Sequence, residues 1–292
     1  MRHAKSIRAD LLFKRMYTNV DSRVVQSLLD FRANNPPQRL ITDGIPWEYL
    51  SVGEGENTIL LLHGMAGSYD IWWQQIEALR DRFRMISVTY PAVDTLEDLR
   101  QGIMAILAAE DVNQLNIVGT SLGGYLAQYL IAQDPNRFHR AVFANTFPLN
   151  NHIARKTRGA EILLRTIPGR LFRAAMRWNT NNRLFPASGR SELLKAYLNE
   201  GIYRGLTKAV FLTRYRCLIE KFAPIKPGAQ SIPVLIIEAD NDPLIGPALR
   251  DHLKTYYPEA QICTFHNAGH FPYLNLPAQY TQSLLRFLLS GQ

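Results

Sequence analysis

Cysteine is almost absent from this chain: 292 residues include two, Cys217 and Cys263. Two thiols exclude a disulfide framework and any four-cysteine zinc site. They read as small buried hydrophobes in a reducing compartment. Long apolar runs are missing as well. No stretch approaches the roughly 18 uncharged apolar residues of a membrane span. Near the basic N-terminus the longest run is Leu11-Leu12-Phe13, too short for the core of a secretory signal. The expectation is a soluble, cytoplasmic protein. No cluster of His, Cys or Asp has metal-ligand spacing, and no Gly-Lys-Ser/Thr phosphate loop occurs, so no metal, cofactor or nucleic-acid partner is expected. Fixed-period repeats and low-complexity segments are absent too. With 47% hydrophobic and 20% charged residues, the composition excludes a disordered chain. The length is ample for a large core without staples.

Acidic residues are scarce in one place. Residues 151–230 hold 16 Lys and Arg against four acids (Glu161, Glu192, Glu200, Glu220), a net +12. The whole chain carries +8, which leaves −4 for the remainder. Such a field would attract an anionic substrate, an acidic partner or an anionic membrane surface. The plainer reading is that these arginines solvate the outer faces of amphipathic helices.

Residues 1–38 read as one or two amphipathic helices stopped at Asn34-Asn35-Pro36-Pro37. Strand-like alternation follows at 47–52. Continuous apolar runs at 58–62, 84–89, 115–119, 141–145 and 234–238, and a less clean one at 260–265, suit parallel strands buried on both faces. Helical patterns separate them at 71–79, 95–109, 122–133, 247–257 and 277–289. Alternation of this kind implies a mostly parallel sheet flanked by helices. The rhythm breaks once. Residues 151–230 show helical character without a clear strand, with breaks expected at Pro168-Gly169, Pro186 and Gly201. An insertion there reads as a helical cap over the strand C-termini, where ligands bind in open α/β sheets. The expected organisation is an extension (1–38), a core (39–150 and 231–292) and a basic cap (151–230).

The run 115–118 leads into Gly119-Thr120-Ser121-Leu122-Gly123-Gly124, and a helix follows at once. In strand–turn–helix context, Gly-x-Ser-x-Gly forces a tight turn whose neighbours carry no large side chains. It places the Ser121 hydroxyl at a helix N-terminus, where amides and dipole favour developing negative charge.

From about Trp47 onward the chain resembles the α/β-hydrolase superfamily. That resemblance implies the α/β-hydrolase fold, with the cap after the sixth strand, and three further assignments. His63-Gly64-Met65-Ala66-Gly67, after the first continuous run, is similar to the motif that supplies an oxyanion-hole amide. Here the amide would be Met65 N–H, paired with Leu122 N–H; a strand-end turn with a buried histidine is the alternative. Asp242, in Ala239-Asp240-Asn241-Asp242-Pro243-Leu244, fits the acid that holds the imidazole, with Asp240 as runner-up. His270, in Asn267-Ala268-Gly269-His270-Phe271-Pro272, fits the general base, with His266 as its rival. Serine at 121, rather than aspartate, implies acyl transfer to water through an acyl-enzyme. The implied activity is that of a carboxylesterase- or lipase-like serine hydrolase acting on a small acyl substrate.

Within the superfamily, the stretches Val88-Thr89-Tyr90-Pro91-Ala92-Val93-Asp94, 119–128, Asn145-Thr146-Phe147 and Phe271-Pro272-Tyr273-Leu274 resemble the maspardin-like branch. Animal members of that branch lack the histidine and are regarded as adaptor or binding proteins. This chain keeps Gly269-His270, which favours an enzyme over a non-catalytic interaction module.

Overall fold

The computed structural model describes residues 12–157, 159–224 and 232–290. Eight strands form one sheet: β1 (Gln38–Thr42), β2 (Ile45–Val52), β3 (Asn57–Leu62), β4 (Phe83–Thr89), β5 (Leu115–Thr120), β6 (Phe138–Ala144), β7 (Val234–Ala239) and β8 (Gln261–Phe265). Their order is β1-β2-β4-β3-β5-β6-β7-β8. From β4 to β8 all pairs are parallel, whereas β1 and β2 are antiparallel. The mostly parallel sheet expected from the continuous apolar runs is present. In β3, Ile59 and Leu61 enter the core on one face of the sheet, and Leu60 and Leu62 enter the core on the other. Each such fully buried aliphatic side chain contributes about 1.5–3 kcal/mol.

Helices cover both faces. The core that holds Ile59 and Leu61 receives α1 (Ser22–Asn34), α2 (Trp73–Leu79) and, near the C-terminus, the helix Pro277–Leu288. The core that holds Leu60 and Leu62 receives α3 (Leu96–Ala109), α4 (Leu122–Gln133) and the helix Pro247–Tyr256. After β3 the chain turns to β4 on one side, then crosses back to β5 on the other. The loops leaving β3 and β5 therefore diverge and open a crevice at their C-terminal ends, the place where such sheets bind ligands.

Between β6 and β7 the described residues contain helices and no strand: α5 (His152–Lys156), α6 (Ala160–Thr166), α7 (Gly169–Asn179), α8 (Glu192–Arg204) and α9 (Lys208–Ile219). Part of the expected 151–230 cap, residues 158 and 225–230, lies outside the described residues, as do residues 1–11 of the extension. The chain breaks at Pro168 as expected. Gly201 instead lies inside α8, because its neighbours supply a continuous buried face of Leu194, Tyr197, Leu198 and Ile202. Strand β1 escaped the sequence pattern. It is an edge strand without a buried face, joined to β2 by the positive-φ pair Asp43-Gly44, so it shows no apolar alternation. Cys217 is buried, but Cys263, on the edge strand β8, is only half-buried.

The extension is tied to the insert. Asp21 caps α1, and Asn35 follows its end. From α1, Arg32 reaches Asp70 Oδ2 (2.7 Å) and Glu200 Oε1 of α8 (3.0 Å). Tyr17 donates to Glu200 Oε2 (2.6 Å), and Tyr197 of α8 donates to Asp70 Oδ1 (2.7 Å). These buried groups join α1, the loop after β3 and the insert. Among the described residues, no helix is long and apolar enough to cross a membrane.

Candidate active site

Ser121 caps α4 with φ 54° and ψ −120°, a left-handed conformation that costs a non-glycine residue about 1–3 kcal/mol. Close packing enforces it. A Cβ on Gly119 would lie 2.2 Å from the Gly123 carbonyl oxygen, and one on Gly123 would lie 2.2 Å from that of Leu62. No side chain fits at either position. The loop after β6 clamps the turn: Ser121 N–H donates to the Ala144 carbonyl (2.9 Å), and Thr146 Oγ1 donates to the Ser121 carbonyl (2.7 Å).

Asp242 and His270 come together on the loops after β7 and β8. Asp242 Oδ2 lies 2.8 Å from His270 Nδ1, and both residues are buried. Asp242 Oδ1 accepts from the amides of Leu244 (2.8 Å) and Ile245 (3.0 Å). Asn145 Nδ2 donates to Asp242 Oδ2 (2.9 Å) and to the Gly269 carbonyl (3.3 Å). Burial alone would raise the Asp242 pKa. His270 and these donors outweigh it and hold the carboxyl below the usual range. The runner-up acid and the rival histidine pair with each other instead: His266 Nδ1 lies 2.7 Å from Asp240 Oδ2, and both are exposed.

His63 is buried completely. Its Nδ1 lies 2.7 Å from the Gly64 carbonyl, and Tyr90 N–H donates to its Nε2 (3.4 Å). Nε2 is thus the acceptor, and Nδ1 carries the proton toward Gly64. Burial first, and the nearby Arg214 second, push its pKa well below the ordinary value, so the ring is a neutral brace for the loop. The amides of Met65 and Leu122 have no acceptor among the described residues. Gly64 packs directly on Ser121, 3.0 Å separating the serine Cβ from the place a Gly64 Cβ would take.

Two residues of this site receive no role from the sequence. Asn145, at φ 43°, bridges the Asp242 carboxylate and the Gly269 backbone. Asparagine tolerates positive φ better than most residues, so an asparagine just past a strand is the signal the sequence offers. Arg214 of α9 is the other. Its Nη1 donates to the Met65 (2.8 Å) and Gly67 (3.0 Å) carbonyls, and its Nη2 donates to the Tyr90 carbonyl (3.1 Å). It is buried and meets no carboxylate within 4.0 Å among the described residues. Burial pushes its pKa down to about 10, still cationic at neutral pH. No spacing rule links Arg214 to carbonyls more than a hundred residues away.

Ser121, Met65 and His270 line one apolar cavity of about 390 Å³, roofed by Met176, Leu184, Leu198, Ile202 and Phe211 of the insert. Among the described residues, no hydrogen bond of 3.5 Å or less joins the Ser121 hydroxyl to His270. A wider cleft of about 1150 Å³ also reaches Ser121 and Met65. Its described lining includes His152, Arg155, Arg183 and His252, and no acidic residue.

The family described as alpha/beta hydrolase fold matches residues 57–277. The chain is similar to the pimeloyl-[acyl-carrier protein] methyl ester esterase of Nitrosomonas europaea, with 26% identity over 243 residues, 79% of this chain and 94% of the relative. Maspardin of Danio rerio is 29% identical over 125 residues, 40% of each chain. Among solved structures, a hydrolase from Pseudomonas aeruginosa PA01 superposes with a TM-score of 0.73 at 20% identity, over 87% of this chain and 99% of that one.

Proposed function

The chain belongs to the α/β hydrolase fold family, and we propose that it is a serine hydrolase cleaving a carboxylic ester or a related small acyl compound through an acyl-enzyme. One observation carries this reading: a strained serine at a helix N-terminus and a carboxylate-bound histidine border the same apolar cavity. In the proposed cycle, His270 takes the Ser121 proton on Nε2 while Oγ attacks the acyl carbon. The Met65 and Leu122 amides receive the oxyanion, each contributing about 2.7–4 kcal/mol. The bond to the leaving oxygen then breaks, and His270 returns its proton to that oxygen. Water, activated by the same imidazole, cleaves the acyl–Oγ bond and regenerates the hydroxyl. The apolar cavity suits the acyl group, and the open cleft with Arg155 and Arg183 suits a polar leaving group. An esterase relative matched over most of its length supports the reaction class.

The test is a series of p-nitrophenyl esters of rising chain length, run beside a lactone and a thioester. Turnover of at least one class is expected, with kcat/KM rising along the ester series until the cavity is filled and falling beyond it. Folded protein that turns over none of them would overturn the proposal.

A further inference from the structure

Nine large hydrophobic side chains are exposed among the described residues, and four of them crowd onto α6 and α7: Ile162, Leu163, Leu171 and Trp178, at 72%, 63%, 52% and 61% exposure. Single exposed hydrophobics are ordinary, but four within residues 162–178 mark this stretch as a contact surface. At 3.6 residues per turn, α7 divides into three stripes. Phe172 packs on Phe211, and Met176 lines the Ser121 cavity, so this stripe faces inward. Leu171, Ala174, Ala175 and Trp178 form an exposed apolar stripe. Beside it, Arg170, Arg173 and Arg177 form an exposed cationic stripe. The surrounding chain has the same sign: residues 162–190 contain six arginines and no acidic residue.

We propose that α7 docks the protein on an anionic lipid surface. Leu171 and Trp178 would seat at headgroup level and the three arginines on lipid phosphates. An apolar stripe bordered on one side by arginines, with an amphipathic tryptophan along it, suits an interfacial helix. Anionic lipid complements both stripes at once. The inner stripe of the same helix walls the cavity, so a bilayer-held acyl compound is delivered next to Ser121. That delivery rests on the hydrolase reading; the docking does not.

Intrinsic fluorescence gives a site-specific readout. Of the four tryptophans, Trp47, Trp72 and Trp73 are buried, leaving Trp178 alone to report on the surface. Vesicles of phosphatidylcholine with phosphatidylglycerol are added to the full chain, with pure phosphatidylcholine vesicles in parallel. The expected result is a blue shift and co-sedimentation with the anionic vesicles only, both weakened by salt. Affinity is expected to fall about tenfold in Trp178→Ser. It is expected to fall about a hundredfold or more in the combined Arg170→Gln, Arg173→Gln, Arg177→Gln variant. Circular dichroism and the thermal melting curve should be unchanged in both variants, which shows that they remain folded. The proposal is overturned if folded protein neither shifts nor sediments. Equal binding to neutral vesicles also overturns it, as does self-association lost in Trp178→Ser without vesicle binding. The vesicle measurements need no turnover, so a failure here and a failure of the hydrolase reading are distinguishable.

Discussion

Asp242→Asn is expected to lower kcat for ester hydrolysis about 10⁴-fold while leaving the fold intact. The backbone decides why. Asp242 Oδ1 is pinned by two N–H donors, Leu244 and Ile245, at 2.8 and 3.0 Å. An asparagine must turn its carbonyl oxygen toward those donors, so its NH₂ group faces His270 Nδ1. An amide donor there favours the tautomer with Nδ1 as acceptor and the proton on Nε2, which cannot take a proton from serine. The same NH₂ group meets Asn145 Nδ2, a second donor, where it formerly met an acceptor. Steady-state kinetics on the soluble ester, with circular dichroism as the folding control, measures the effect. A loss below about tenfold would remove Asp242 from the role of imidazole partner. The parallel Asp240→Asn change should leave kcat near its original value, since Asp240 pairs with the exposed His266.

Arg214→Met carries the second-largest expected effect, a fall in kcat of about a hundredfold with little change in KM. Two braces hold the loop that presents the Met65 amide. His63 holds the Gly64 carbonyl from below, and Arg214 holds the Met65 and Gly67 carbonyls from the insert. Methionine fills similar space, ends the hydrogen bonds and frees the loop to turn the amide from its target. An oxyanion donor acts mainly on the transition state, so the loss belongs in kcat rather than in KM. Arg214→Lys keeps the charge but not the planar fork and should recover part of the rate. Two opposed effects meet in the stability of Arg214→Met, one of them the loss of a donor to the buried Gly67 and Tyr90 carbonyls. Arg214 is a buried cation without a carboxylate, so removing it also removes a desolvation cost. A large drop in thermal stability, with kcat per folded molecule unchanged, would make Arg214 a structural tie only.

The fold was legible wherever burial wrote itself into the sequence. Strands covered on both faces need largely apolar runs, and β3, β5, β7 and residues 141–144 of β6 are such runs. The Ser121 turn was legible because steric limits around it admit glycine at 119 and 123. Asp242 is preferred to Asp240 on the resemblance alone, since the two are two residues apart on one loop. Only the tertiary structure sends one to His266 and the other to His270. β1 has no buried face and left no pattern. Asn145 and Arg214 act through backbone carbonyls and a carboxylate far along the chain, contacts that side-chain spacing does not encode.

Covalent labelling with a fluorophosphonate tests the account most directly. Ser121 Oγ should displace fluoride from phosphorus, giving an adduct that peptide mass spectrometry maps to residue 121. Ser121→Ala should abolish it, and Asp242→Asn should slow it. Folded protein that stays unlabelled, or a Ser121→Ala variant that labels as before, would contradict a nucleophile at that turn and leave a binding role on a hydrolase scaffold.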